Sequence, residues 1–268
     1  MSSHPNDKSW LFFPQKQQRE SQVRLFCFPY AGGGASIYNS WAEELPAQIE
    51  LCALQLPGRE NRFAEPPFTN LNQLVETLLP VLKPYLDVPF AFFGHSMGAL
   101  TAFELARAIR NAYGWEPEYL FVSGHSAPHV PRQRKTLHHL PTADFIQEVR
   151  KLNGTPEEVL QSEELLELFL PLLRADFELC ETYAYQSQAK LSCPIVALGG
   201  LQDEDVPRDA LEGWCEHTSA HFCRRFFYGD HFFLHRHRQY LTKFIAQKLL
   251  NLNTVACQTC GCLRGLAS

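Results

Sequence analysis

The chain alternates short apolar runs with segments of helical periodicity along most of its length. The apolar runs lie at residues 23–28, 51–56, 90–93, 119–123, 194–198 and 222–228. Apolar residues spaced three and four positions apart indicate helices at residues 71–86, 97–112 and about 234–250. Continuous apolar runs are typical of strands buried on both faces, as in parallel sheets whose crossover helices cover both sides. The alternation therefore predicts an α/β fold with a mostly parallel central sheet flanked by helices.

One insertion interrupts this alternation between the runs at 119–123 and 194–198. About seventy residues there have helical periodicity and no strand signal. The apolar residues that share one helix face are Leu165, Phe169, Leu172 and Leu173. Pro156 and Pro171 stand where helices can begin, since proline is favoured in the first helical turn. The segment at about 130–190 is therefore predicted to form a helical cap on the sheet.

The most specific short motif is G-H-S-M-G at residues 94–98, between the run at 90–93 and the helix at 97–112. In this strand–turn–helix context G-x-S-x-G is a nucleophile elbow, because the sharp turn exposes the serine hydroxyl and small neighbours let the chain pass closely. Ser96 is therefore the candidate nucleophile, the alternative being that it only caps the helix. A second G-H-S at 124–126 lacks the second glycine, so Ser126 is predicted to be an ordinary loop residue.

A serine nucleophile needs a base, and the base needs a carboxylate that orients it. Behind an elbow of this kind, the acid and then the histidine follow the serine along the chain, each on a loop after a late strand. Asp203 follows the run at 194–198, and His231 follows the run at 222–228. These two residues are the candidate orienting acid and base.

Other assignments of the acid and base are weighed beside these. Asp205 or Glu204 could orient the histidine in place of Asp203, whereas Asp230 is too close to the histidine in sequence to do so. His235 and His237 lie further into the terminal helical segment, where an arginine- and histidine-rich face is most simply solvated surface.

Acyl transfer also needs amide donors for the oxyanion of the tetrahedral intermediate. One donor at an elbow is the backbone N–H of the residue after the nucleophile, here Met97. The other comes from a loop after an early strand, and the glycine-rich segment 28–34 fits, with Ala31 or Tyr30 as the donor. That segment lacks both the Lys-Ser/Thr end of a P-loop and the G-x-G-x-x-G spacing, which argues against nucleotide binding.

Composition narrows the class of protein. The 268 residues are 45% hydrophobic with a formal net charge of −5, which fits a globular chain and argues against a general nucleic-acid binder. The first twenty residues have no secretory pattern, and the most apolar stretch, 89–105, is too short to span a bilayer. Six cysteines are scattered singly, as buried thiols in a reducing compartment would be. We therefore expect a cytoplasmic protein without nucleic-acid or membrane partners.

Five ordered segments give the chain a family resemblance: R-L-F-C-F-P-Y-A-G-G-G at 24–34, L-P-G-R-E at 56–60, G-H-S-M-G at 94–98, L-R-A-D-F at 173–177 and G-D-H-F-F-L at 229–234. In these segments the chain resembles the type II thioesterases that accompany polyketide synthases and nonribosomal peptide synthetases, which are α/β-hydrolases. The resemblance runs from about residue 10 to residue 250. At Asp230 the chain departs from the family, which more often has glycine there.

The resemblance implies hydrolysis of acyl groups, chiefly misprimed or unproductive ones, from the phosphopantetheine arm of acyl or peptidyl carrier proteins. It implies Ser96, Asp203 and His231 as the catalytic triad, Ala31 and Met97 as the oxyanion hole, and the insertion as a mobile lid over the acyl chamber. No cofactor of the chain's own is implied, because the substrate is carried on the phosphopantetheine of the partner. With the same triad, a carboxylesterase or lipase and an acyltransferase are the alternatives, and a binding module without activity is a further one.

The resemblance divides the chain into an N-terminal extension at 1–20, one α/β-hydrolase domain at 21–250 with its lid, and a cysteine-rich tail at 251–268, expected to be disordered. Cys257, Cys260 and Cys262 in that tail have zinc-like spacing, but a closed structural site needs four ligands, so no metal site is predicted within the chain. An intermolecular metal or disulfide link through these cysteines is the alternative. We expect a monomer.

Basic residues at the entrance to the lid are candidates for docking an acidic carrier protein. They are Arg132, Arg134 and Lys135. A solvated surface loop explains the same residues equally well.

Overall fold

A computed structural model of the chain describes residues 10–14, 21–131, 135–155 and 157–250. The candidate docking residues Arg132 and Arg134 lie outside the described residues, as do Cys257, Cys260 and Cys262. Within the described ranges, no helix has both the length and the apolar character needed to cross a membrane.

One mixed sheet forms the centre of the fold. Its strands are β1 (Leu11–Phe12), β2 (Val23–Phe28), β3 (Ile49–Leu54), β4 (Phe90–His95), β5 (Leu120–Ser123), β6 (Ile195–Gly200) and β7 (Phe222–Phe227). They lie in the order β1-β3-β2-β4-β5-β6-β7. β1 runs antiparallel to β3, and all other neighbours are parallel. The predicted α/β fold with a mostly parallel sheet is confirmed.

Helices cover both faces of this sheet, and three more helices form the insertion between β5 and β6. The helices are α1 (Asn39–Ala42), α2 (Leu71–Leu82), α3 (Met97–Tyr113), α4 (Thr142–Lys151), α5 (Glu157–Gln161), α6 (Glu163–Glu181), α7 (Arg208–Glu212), α8 (Phe233–Arg236) and α9 (Arg238–Leu249). In β2, Phe26 packs on the face covered by α2 and α3, while Leu25 packs on the face that α9 covers. Because alternate side chains enter two separate cores, the strand reads as one continuous apolar run.

The strand order reverses between β2 and β4, and this reversal prepares a ligand site. β2 continues to β3 on one side, and the chain then returns to β4 on the other side of β2. In such α/β sheets ligands bind at the carboxyl ends of the strands where the order reverses. Phe28, at the end of β2, lies opposite Gly94 near the end of β4, so the glycine-rich loop and the elbow emerge side by side.

Several element boundaries differ from those predicted. The strand predicted at 51–56 is β3, which starts two residues earlier because Glu50 is buried in an ion pair with Arg24 of β2 (Nε–Oε2 2.5 Å). The helix predicted at about 234–250 is divided into α8 and α9 at His237. The pattern at 71–86 is α2 followed by a 3-10 turn, Lys83–Tyr85, that contains a proline.

The segment expected as an N-terminal extension contributes to the sheet. Leu11 and Phe12 form β1, which pairs with Leu54 and Ala53 at the edge of the sheet. The neighbouring Trp10 ring lies under the Arg62 guanidinium at 3.9 Å. A strand of two residues has no period that a sequence pattern could detect.

The predicted helical insertion is confirmed as α4, α5 and α6, which have an apolar cluster of their own. The buried members of that cluster are Leu137, Phe145, Val149, Leu160, Leu173 and Phe177. The prediction that Pro171 begins a helix is wrong, since it lies inside α6. The helix begins earlier, where the Ser162 side chain accepts a hydrogen bond from Leu165 N. Apolar residues after Pro171 are buried, and this burial lets the helix continue past the proline despite its low helix propensity.

Candidate active site

Ser96 stands at the turn between β4 and α3 in a backbone conformation that residues other than glycine rarely adopt. Its φ is 54° and its ψ is −118°. The backbone around it fixes this conformation, because Ser96 N donates to Ser123 O at 2.7 Å and Ser96 O accepts from Ala99 N at 3.0 Å. Strained conformations of this kind persist where the surroundings over-determine them, and they cluster at functional sites. The turn has the geometry predicted for a nucleophile elbow.

The two glycines of the motif are required by close approaches of the backbone. A Cβ on Gly94 would lie 2.1 Å from Gly98 O, and a Cβ on Gly98 would lie 2.2 Å from Phe28 O. Glycine at both positions therefore lets the first turn of α3 pack directly on β4 and on the end of β2.

Asp203 and His231 meet at the carboxyl edge of the sheet, as their positions after β6 and β7 predict. His231 Nδ1 lies 2.8 Å from Asp203 Oδ2, and the Asp203 side chain is only 1% exposed. Asp203 Oδ1 accepts from Asp205 N at 3.0 Å. An ionised carboxylate only accepts, so Nδ1 carries the proton and Nε2 is left as the basic nitrogen. His231 lines the same cavity as Ser96.

The competing acids have other positions in the structure. Asp205 lines the cavity and supplies its backbone N–H to Asp203, and the Glu204 side chain is exposed. Asp230 is exposed and accepts from Phe232 N at 3.0 Å and from Asn153 of the lid at 3.4 Å. The structure thus pairs the His231 ring with Asp203 through a hydrogen bond.

The competing histidines make contacts elsewhere. His235 Nε2 lies 3.1 Å from the Tyr30 hydroxyl, and His237 Nε2 lies 2.7 Å from Tyr228 O. Burial lowers the pKa of His235 and is partly opposed by the nearby charge of Asp230. Burial also raises the pKa of Tyr30 to about 12, which keeps its hydroxyl neutral.

His95, inside the motif, is a site residue that the sequence analysis did not single out. Its side chain is fully buried, its Nδ1 lies 2.9 Å from Ser123 Oγ, and its ring centroid lies 5.1 Å from that of His231. Burial holds the pKa of His95 well below its usual value, and His231 adds to this effect. His95 is thus a neutral ring packed behind His231. The sequence feature that could have identified His95 is its position next to Ser96 in the G-H-S-M-G motif.

Ala31 and Met97 both lie at the wall of the cavity, one on each side of the strand-order reversal. Ala31 is the second residue of a turn closed by a hydrogen bond from Gly33 N to Tyr30 O at 2.9 Å. Gly32 has φ +78°, so the turn is of type II, which favours glycine at that third position. Ser126 also lines the cavity, on the loop after β5.

The cavity has a volume of about 370 Å³ and lies between the sheet and the lid. Its apolar wall comes from α3 and the lid, and includes Met97, Leu100, Val149, Leu152, Leu173 and Phe177. Polar groups on the opposite loop include His125, Ser126 and His129. The cavity thus combines an apolar lining with Ser96 and His231, and His231 is in turn hydrogen-bonded to Asp203. Lys135 is exposed where the insertion begins.

Asp203, Asp205 and His231 also have side-chain ligand atoms within 4.8 Å of one another. Within this cluster the closest pair, His231 Nδ1 and Asp203 Oδ2, is already joined by the hydrogen bond described above. Hydrogen bonds among protein atoms therefore explain why these three side chains lie close together.

The fold and site define the class as the thioesterases of the α/β-hydrolase fold. The family model of the thioesterase domain matches residues 23–249. The chain belongs to this thioesterase family and is a thioester hydrolase.

The individual relatives include thioesterases, one of them from a biosynthetic cluster. Thioesterase PikA5 of Streptomyces venezuelae is 43% identical over 215 residues, covering 80% of this chain and 76% of the relative. The type II thioesterase BorB from the borrelidin biosynthetic cluster has a solved structure with a TM-score of 0.83 and 39% identity, covering 92% of this chain and all of BorB.

A further relative has a different activity in its name. The linear gramicidin dehydrogenase LgrE of Brevibacillus parabrevis is 48% identical over 250 residues, covering 92% of this chain and 95% of the relative. The present sequence contains no G-x-G-x-x-G motif, the usual dinucleotide fingerprint, and has the elbow and family match of a thioesterase.

Proposed function

We propose that this protein releases acyl groups from the phosphopantetheine arm of acyl or peptidyl carrier proteins in polyketide or nonribosomal peptide synthesis, removing misprimed or aberrant chains. Ser96 is the nucleophile, His231 the base and Asp203 the acid that orients it. The hydrogen bond between His231 and Asp203, at the cavity edge that also presents Ser96, carries this proposal.

In the first half-reaction His231 Nε2 takes the Ser96 proton while Oγ attacks the thioester carbonyl carbon. The carbonyl oxygen becomes an oxyanion held by the Ala31 and Met97 amides. The tetrahedral intermediate then expels the thiolate of the arm, which takes up the proton from His231. A thiol has a pKa of about 8.5, so this leaving group depends less on protonation by His231 than an amine would. Ser96 is left as an acyl ester.

In the second half-reaction water attacks the acyl ester on Ser96. His231 Nε2 takes a proton from this water and then returns it to Ser96 Oγ as the acid is released. Asp203 keeps the imidazole in the tautomer that each step needs and stabilises the imidazolium that forms. The same two amides hold the oxyanion in both halves.

The partner and the compartment are part of this proposal. A carrier protein presents the acyl group on its own arm, so the chain needs no cofactor of its own. The proposal also takes the chain to act as a monomer. Lys135, with Arg132 and Arg134, steers the acidic carrier to the lid entrance. The buried thiols of Cys27 and Cys52, whose pKa values burial raises, support a reducing, cytoplasmic setting.

Substitution of the two cavity serines tests the catalytic assignment. Ser96→Ala is expected to abolish acid release from a panel of acyl-loaded carrier proteins, followed by mass spectrometry, while Ser126→Ala retains turnover within a few fold. A fluorophosphonate should label the wild type and the Ser126 variant, and fail to label the Ser96 variant. Wild-type turnover in Ser96→Ala would overturn the proposal.

Two further comparisons test the substrate. Hydrolysis of the oxygen ester of the same acyl group should be slower than that of the thioester, and a preference for the ester would indicate a carboxylesterase or lipase. Replacing Lys135 by glutamate should raise KM for the loaded carrier at low salt and leave KM for a free acyl-pantetheine unchanged, because steering is screened by salt. If KM for the loaded carrier protein changes neither with salt nor with the substitution of Lys135, the docking role is contradicted.

A further inference from the structure

A buried ion pair connects the lid to the loop after β3. Arg59 Nη2 lies 2.8 Å from Asp176 Oδ1, and Arg59 Nη1 lies 3.0 Å from Asp176 Oδ2, which makes the contact bidentate. Arg59 follows β3, and Asp176 belongs to the C-terminal half of α6. The two side chains are 3% and 1% exposed, although Asp176 contributes to the cavity wall.

Both members of the pair also bind the turn that carries Ala31. Asp176 Oδ2 accepts from Gly32 N at 2.7 Å, and Arg59 Nη1 donates to Gly33 O at 3.1 Å. The peptide between Ala31 and Gly32 is the central peptide of the turn, and its flip is what separates type I from type II geometry. An acceptor on the Gly32 N–H holds that peptide in the type II orientation. It thereby also restrains the backbone of Ala31, the residue just before Gly32.

The two ends of the loop are fixed by other residues. Tyr38 donates its hydroxyl to Phe28 O at 2.6 Å, and Ala35 N donates to Gln55 Oε1 at 2.7 Å. Gln55 Nε2 in turn donates to Arg59 O at 2.9 Å. The ends of the loop are therefore held by Tyr38 and Gln55, while its centre is held by the ion pair.

The energetics of buried pairs favour a role beyond stability. Removing two charges from water is expensive, and well-packed apolar residues often replace such a pair with no loss of stability. The charge-assisted bonds from Arg59 and Asp176 to the main chain are stronger and more directional than neutral ones. These bonds determine the placement of the turn that carries Ala31, whose amide must point at the developing oxyanion.

We propose that Arg59 and Asp176 are positioning residues of the oxyanion hole, which hold the turn of Ala31 in its catalytic orientation and tie it to the lid helix α6. This rests on the proposed function through the role of the Ala31 amide. The C-terminal half of α6 is then part of the catalytic framework, and lid motion is confined to the elements before it.

The test uses full-length protein and a thioester of free pantetheine, so carrier docking does not enter. Asp176→Asn keeps the shape and an acceptor but removes the charge. We expect kcat to fall by about 10–100-fold, below the 10²–10³-fold loss of an entire oxyanion donor, with KM changed by less than about twofold. Affinity for a boronic acid that forms a tetrahedral adduct on Ser96 should fall by the same factor as kcat, because it depends on the same amide.

A matched control is another buried pair, Arg24 and Glu50, which joins β2 to β3 away from the turn. Glu50→Gln should leave kcat and boronate affinity at wild-type values even where it lowers the melting temperature. Equal losses of kcat in Glu50→Gln and Asp176→Asn, measured at temperatures where both are folded, would show a general stability effect and overturn the proposal.

The double variant Arg59→Met with Asp176→Leu leaves no unpaired charge in the interior. We expect it to fold and to retain the kcat defect, since apolar side chains cannot bind Gly32 N–H or Gly33 O. A folded double variant with wild-type kcat overturns the proposal. If the double variant does not fold, Asp176→Asn decides: unchanged kcat overturns the proposal, and a loss of kcat at constant KM supports it.

These results are separable from a failure of the proposed function. Full activity in Ser96→Ala removes the acyl-enzyme mechanism and the oxyanion role together. Inactive Ser96→Ala combined with fully active Asp176→Asn leaves the proposed function in place and removes only the positioning role.

Discussion

His231 Nδ1 lies 2.8 Å from Asp203 Oδ2, although 28 residues separate the two in sequence. The carboxylate is almost fully buried and its second oxygen accepts from a backbone N–H, so it has little freedom to turn away from the ring. The contact fixes which imidazole nitrogen carries the proton before any substrate binds.

This contact predicts that Asp203→Asn lowers kcat by about 10⁴-fold, the loss that the wrong histidine tautomer causes in serine proteases. The asparagine amide offers a donor where an acceptor is needed, while folding is retained. Steady-state kinetics with an acyl-thioester measure the effect. Asp205→Asn is the control, because Asp205 lines the same cavity and contributes its main chain to Asp203. If Asp205→Asn lost more activity than Asp203→Asn, the orienting acid would be the other aspartate.

Gly98→Ala is predicted to destabilise the protein by about 3 kcal/mol or more, because its Cβ would lie 2.2 Å from Phe28 O, a backbone atom that cannot move alone. Gly114→Ala is the comparison, since Gly114 has φ +73° and an added Cβ would have no atom within 4 Å apart from those of its own chain neighbours. Backbone strain alone should then cost about 1 kcal/mol. Urea unfolding of both variants measures the difference, and equal losses would contradict the packing explanation.

The pKa of His217 predicts how stability depends on pH. Burial lowers this pKa to about 4, with smaller effects from His129, Arg107 and Lys190. An unfolded histidine has a pKa of about 6.5, so between these values the unfolded chain binds a proton that the folded chain does not. The free energy of unfolding is therefore highest above pH 6.5 and falls as the pH falls toward 4. The loss from this residue is about 3 kcal/mol.

The variant His217→Phe isolates this contribution, because it keeps a ring beside Phe103 and Trp214 and removes the titrating group. Urea unfolding at several pH values should show a shallower fall between pH 6.5 and 4 in the variant than in the wild type. His95, whose pKa burial also lowers, keeps part of the slope in both proteins. Identical slopes would assign the pH dependence to other groups.

Removal of metal ions is predicted to leave activity unchanged. Asp203, Asp205 and His231 have ligand atoms close enough for a cation, but proton transfer by His231 requires its ring to stay bonded to Asp203. Exhaustive dialysis against a chelator should therefore not change kcat, and added Zn²⁺ should inhibit by competing for these groups. A loss of activity on dialysis that a divalent cation restores would require a metal-dependent mechanism.

It was possible to predict most of the parallel strands, the elbow and the order of Ser96, Asp203 and His231, because each depends on local pattern. Continuous apolar runs identify buried parallel strands, and G-x-S-x-G has a meaning once a strand precedes it and a helix follows. Chain order then places Asp203 and His231 after late strands. Their joint position at one sheet edge follows from the parallel arrangement alone.

Other features depend on contacts between distant segments and were not predictable. β3 begins early because Glu50 is neutralised by Arg24, and α6 continues through Pro171 because the residues after it are buried. The two-residue strand β1 exists because β3 offers it an edge. In each case a neighbour far along the chain outweighs the local preference, which a single sequence does not record.

The sequence by itself determined the class of fold and the order of the candidate catalytic residues, because periodicity and chain order are local properties. Only the tertiary structure brought the Asp203 carboxylate to the His231 ring, since this contact depends on how the loops after β6 and β7 meet. It alone also brought Arg59 and Asp176, 117 residues apart, onto the turn of Ala31. Long-range pairing of this kind is fixed by how the lid packs on the sheet, and no spacing within the chain encodes it.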